Sequence, residues 1–108
     1  MNKEDIKLLK KAANAAGLEV IGYSAKTGLR VRAKESETGY KWNPLKNLGD
    51  ALWLAITLEM DLDLSIAMQP EADVSAAVYY EDTVSIDCEG DPYSATCRAI
   101  VMAAASTV

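Results

Sequence analysis

Histidine is absent from the 108 residues of this chain, and so is phenylalanine. Without histidine the chain lacks the commonest general base at neutral pH and the commonest imidazole ligand for a transition metal. It also has no glycine-rich phosphate loop and no Gly-x-Ser-x-Gly elbow. Carboxylates are plentiful, but their spacing marks no catalytic pair. The chain is therefore expected not to be an enzyme, to need no cofactor, and to carry no catalytic, cofactor-binding or metal-binding residue. Cysteine is scarce: Cys88 and Cys97 stand nine apart, which is neither a Cys-x-x-Cys redox pair nor half of a zinc site. Both fall on inward positions of their segments and read as buried, reduced thiols. Nowhere do about 18 apolar residues run together, so no membrane span is expected. The first residues, Met1-Asn2-Lys3-Glu4-Asp5, lead into a charged amphipathic helix and do not resemble a secretory leader. A cytoplasmic location and no membrane partner follow as expectations.

Basic residues are missing from a long stretch: no Lys or Arg occurs from 47 to 97. Residues 1–46 carry ten basic and five acidic side chains, and residues 47–108 one basic and eleven acidic. The net charge of −5 thus hides a positive first part and a strongly negative second part. The two can pair within the fold, face water, or serve as a polar contact surface.

What is present is apolar residues in two rhythms. Half the chain is hydrophobic, mostly aliphatic and alanine, enough for one domain over residues 1–108 to bury a core unaided. Ile6, Leu9, Ala12, Ala13 and Ala16 recur at helical spacing, and Gly17 stops that helix. Leu18–Tyr23 and Leu29–Lys34 form a hairpin, with Leu29, Val31 and Ala33 inward and Arg30, Arg32 and Lys34 outward. Such a basic face can meet phosphates, yet no aromatic side chain interleaves on that strand, and nucleic acid is disfavoured as a partner. Segments 61–68, 74–80 and 83–88 alternate as a three-stranded antiparallel meander. Asp61-x-Asp63-x-Ser65 lacks the glycine and distal glutamate of a calcium loop, so strand alternation accounts for it. Asp91 followed by Pro92 opens a closing helix that buries Tyr93, Cys97, Ile100, Val101 and Ala104.

The organising stretch is Tyr40–Met60. Asn43-Pro44 resists helix, and Asn47 or Asp50 can cap the helix that follows. Leu48, Ala51, Leu52, Ala55, Ile56 and Leu58 or Glu59 form its expected buried stripe, leaving Trp53 and Leu54 outside it. The order α-β-β-α-β-β-β-α predicts an α+β fold: an antiparallel sheet of about five strands, hairpin plus meander, packed with three helices.

Trp42-Asn43-Pro44-Leu45, Gly49-Asp50-Ala51-Leu52, Leu54-Ala55 and the run Asp91–Val101 together resemble the phage ABA sandwich domain family, small proteins of tailed bacteriophages mostly without assigned function. The resemblance covers roughly residues 40–108. It implies a layered domain of phage origin in the host bacterial cytosol, and no activity. Trp53 departs from the family pattern, which carries charge at that position. Small phage accessory proteins of this kind commonly occlude a host protein, for example a defence effector such as a CRISPR complex. The expected function is accordingly a non-catalytic interaction protein that binds and inhibits a host protein with a basic surface. A second copy of the chain is another candidate partner. Candidate partner-binding residues are Trp53, Asp61, Asp63, Glu81 and Asp82. The alternative is a nucleic-acid- or ligand-binding module using the basic hairpin face.

Overall fold

In the computed structural model, which describes residues 3–24, 28–63, 73–78, 84–87 and 91–107, the first helix, α1, runs Lys3–Ala15. It buries Leu9, Ala12 and Ala13. Gly17 ends it with φ +77, a left-handed turn that glycine enters without steric cost, and its N–H donates to the Asn14 carbonyl at 3.1 Å. Strands β1 (Leu18–Ser24), β2 (Gly28–Ala33) and β3 (Tyr40–Trp42) then form an antiparallel sheet in that order. A register shift between Val20 and Gly22 inserts Ile21 as a bulge into edge strand β1.

Helix α2 (Leu48–Thr57) follows, and then β4 (Met60–Asp63), β5 (Asp73–Val78) and β6 (Val84–Asp87), a second antiparallel sheet in the order β4-β5-β6. Helix α3 (Pro92–Ala105) closes the fold, with the Asp91 side chain accepting the Ser94 N–H at 3.1 Å.

The architecture is α+β with three helices, as the sequence predicts. The expected single sheet of about five strands is corrected. Among the described residues six strands form two three-stranded sheets, and no strand of one is bonded to a strand of the other. The order is α-β-β-β-α-β-β-β-α. The additional strand is β3, three residues long and too short to show alternation. The sheets stay separate because each spends its inner face on its own helix: α1 lies on β1 and β2, and α3 lies on β5 and β6. The helices join the halves, since α3 packs along both α1 and α2.

That position explains the composition of α3. Ala95, Cys97, Ala99, Ile100, Val101, Ala103, Ala104 and Ala105 are all buried. A helix apolar on nearly every side belongs inside, and alanine lets its neighbours approach closely. Arg98 is an exception: its Nη2 meets Asp5 Oδ1 of α1 at 3.0 Å and ties first helix to last. Tyr93, expected in the core, is instead 69% exposed, because it lies in the first turn, before α3 runs between its neighbours.

The expected strand residues 64–68 and 79–80, the turn positions Glu81 and Asp82, and Cys88 lie outside the described residues. Among those described, no helix is long and apolar enough to cross a membrane.

Candidate interaction surface

The lead-in to α2 is fixed by four backbone–side-chain and backbone–backbone bonds around two residues. Lys46 and Asn47 donate their N–H groups to the Asn43 carbonyl at 3.1 and 2.8 Å, which makes the turn after Pro44. The Asn43 N–H donates to Asp50 Oδ2 at 2.9 Å, and the Asp50 N–H donates to Asn47 Oδ1 at 3.0 Å. Asn47 is thus the N-cap, and the Asp50 carboxylate reaches back across the loop. Below them, Trp42 is buried against the core, with its Nε1 unpaired, as is Asn43 Oδ1. Gly28 makes this seat: with φ +89, a Cβ there would stand 2.7 Å from Asn43 Cβ and 2.9 Å from the Trp42 carbonyl oxygen. Asp50 and burial together push the Tyr40 hydroxyl above its ordinary pKa, burial being the larger cause.

This clamp sets the rotation of α2. Its buried residues are Ala51, Leu54 and Ala55, facing α3, with Leu48 and Leu58 packed at the margin. The expected stripe is therefore corrected by a partial turn: Leu54 is inside, while Leu52 and Ile56 are outside. The helix is apolar on nearly all sides, so periodicity alone admits either phase.

The outward face is the distinctive feature. Leu52 is 40% exposed, Trp53 41% and Ile56 75%, and Gly49 and Thr57 are exposed beside them. These positions follow one another at steps of three and four, so they form one continuous strip. Large apolar side chains grouped on one helix face point to a contact surface, where scattered ones would not.

At its C-terminal end the strip meets acid. Helix α2 stops at Leu58, and Glu59 takes left-handed backbone with φ 51, turning the chain into β4. Glu59 and Asp61 are both exposed. Asp61 lies opposite Ala77 in the second sheet, and Asp63 opposite Ser75. The structure thus places Trp53 and Asp61 on adjoining elements, both accessible. Glu81 and Asp82 lie outside the described residues. Leu52 and Ile56 were missed as surface residues because they were assigned to the core.

Among the described residues the basic hairpin holds an ion pair of its own: the Arg32 guanidinium meets both Glu19 carboxylate oxygens at 3.1 Å, across β1 and β2. That hydrogen-bonded pairing holds the Glu19 carboxyl below its ordinary pKa. Among the described residues no group of three or more His, Cys, Asp or Glu side chains is arranged to hold a metal ion. Cys97 is buried and free, and its thiol pKa is raised by burial and then by the Asp91 carboxylate.

The chain matches no protein-family model, no curated protein and no solved structure.

Proposed function

We propose that this chain is a small non-catalytic interaction protein that occupies a surface of another protein through the outward face of α2. The observation carrying this reading is the strip Leu52, Trp53 and Ile56, left in water by a helix whose opposite side is core. Tryptophan is among the residues enriched at binding hot spots. A stable interface takes about 800 Å² from each partner. Three side chains supply only part of that, so the contact extends over the acidic margin at Glu59 and Asp61. A partner with a basic rim around an apolar pocket fits both parts. The resemblance to small phage proteins supplies the setting: a host protein in the bacterial cytoplasm, blocked by the bound chain.

The test is a quantitative capture from host lysate with the wild-type chain, Trp53→Lys and Ile56→Asp in parallel, each checked by thermal melting. One stoichiometric protein retained by the wild type and lost by both folded variants supports the reading. Equal capture by all three chains overturns it. Sedimentation of the purified chain separates a foreign partner from a second copy. Self-association that disappears in Ile56→Asp would make the partner the chain itself.

A further inference from the structure

We propose that a second site, on the opposite chemistry, runs from α1 past Tyr23 onto the outer face of the first sheet and binds single-stranded nucleic acid. Two open grooves meet there. One, of about 290 Å³, is lined by Lys3, Ile6, Lys7, Lys10 and Tyr23. The other, of about 240 Å³, is lined by Gly22, Tyr23, Ser24, Gly28, Leu29, Arg30 and Lys41. Tyr23 is the wall they share. Among the described residues five cations and no carboxylate line the pair, in a chain whose net charge is −5.

The disposition suits a strand of phosphates with its bases unpaired. Lys3, Lys7 and Lys10 recur at helical spacing, a ladder of positive charge with steps of about 5–6 Å. Arg30 and Lys41 are direct cross-strand neighbours on the sheet. Arg32 does not contribute, because Glu19 holds it. The nearest carboxylates on α1 line neither groove: Glu4 lines a neighbouring one that shares Lys7, and Asp5 meets Arg98.

On the edge strand that separates the two sets of cations, on the side facing α1, stands an aromatic ring that is 63% exposed. The Lys10 ammonium lies 5.0 Å from its centroid, a cation–π contact that holds the ring while much of it stays in water. Gly22 flanks it without a side chain, and a Cβ there would meet only Arg30 Cβ, at 3.9 Å, which leaves room for a base to approach. A ring stacked on bases between phosphate-binding cations is how proteins hold single strands without reading sequence. A duplex would offer Tyr23 no base face. The strand Arg30–Lys34 carries no aromatic residue, and that counted against nucleic acid in the sequence. The fold supplies the ring from β1 and three further cations from α1.

The acidic half opposes the ligand, so affinity should lie in the range of sequence-independent binding, with a Kd of about 10⁻⁴–10⁻⁶ M at physiological salt. The test is fluorescence anisotropy with a short labelled oligothymidylate and the matching oligouridylate, between about 50 and 200 mM salt. Binding is expected, with log K falling against log salt at a slope of roughly −2 to −3.5 for three to five phosphates. Tyr23→Ala should weaken binding by about tenfold or more, and Tyr23→Trp should restore it. Lys7→Gln with Lys10→Gln should weaken it and reduce the slope. Ile56→Asp should leave it unchanged, which separates this site from the α2 surface. Absence of binding at about 50 mM salt overturns the proposal. So does a Tyr23→Ala variant that binds as well as wild type, or polyglutamate competing as strongly as the oligonucleotide, which would make the groove a site for acidic peptides.

Discussion

Asn43 and Asp50 share one clamp, yet their side chains do different things. The Asp50 carboxylate accepts the buried Asn43 N–H. Asp50→Ala leaves that donor unpaired and should cost about 1–3 kcal/mol in denaturant unfolding. The Asn43 side-chain oxygen is buried with no partner. Asn43→Ala removes an unpaired acceptor, and its cost should stay under about 1 kcal/mol. Equal losses for the two would show that the bond at Asp50 does not anchor the lead-in. Cys97 gives a pH signature. Its folded pKa is raised, chiefly by burial, so the fold keeps the thiol protonated where the unfolded chain ionises it. The contribution is complete below the ordinary thiol value, about pH 8.5, and is lost as pH rises from there through the folded pKa. Melting of the wild type should therefore fall more steeply above that pH than melting of Cys97→Ala. Parallel curves would refute the linkage.

At the level of the element, α2 is where sequence and structure part, and the reason is physical. Its caps are legible: Asn47 before, and an aspartate at the third position. Its rotation is not, since Leu48, Leu52, Leu54, Ile56 and Leu58 surround the axis and only packing against α3 chooses among them. Trp53 could be placed off the buried stripe because both candidate phases leave it outside. The helices at 3–15 and 92–105 were legible from one clear stripe and from Asp91-Pro92 respectively. Strand β3 and the division into two sheets were not, because pairing partners depend on which face each helix covers. Tyr23 was missed as a site residue for the same reason: its cations come from α1 and from β2 and β3. The phase of α2 has a direct test. Leu54→Asp should destabilise by more than about 4 kcal/mol, as a charge forced into a core does, while Ile56→Asp should stay within about 0.5 kcal/mol. The reverse ranking would restore the stripe expected from periodicity.

For the molecule as a whole, the divided charge bears on how the proposed basic partner would be met. Residues 59–91 hold ten carboxylates without a Lys or Arg. A sustained negative field of this kind speeds encounter with a basic partner and does so less as salt rises. Changing Asp61, Asp63, Glu81 and Asp82 to Lys should slow association about tenfold or more at low salt and flatten its salt dependence. Dissociation should change less than association, since charges at the rim of a contact act mainly on encounter. Stopped-flow binding at two salt concentrations decides it. If reversing Arg30, Arg32 and Lys34 slows the protein partner instead, the acidic half is not the steering surface.

The place of α3 at the junction of both halves also orders events in time. Every element that α3 covers is synthesised before it. At about 5–20 residues per second, α1 waits several seconds on the ribosome before the helix that completes its cover exists. Nascent chains stalled with residues 1–91 outside the tunnel should be digested quickly, and chains exposing residues 1–107 should resist. Early resistance would mean that the first half closes without α3. Otherwise the described fold matures as a single late event, with every layer closing at once when α3 arrives.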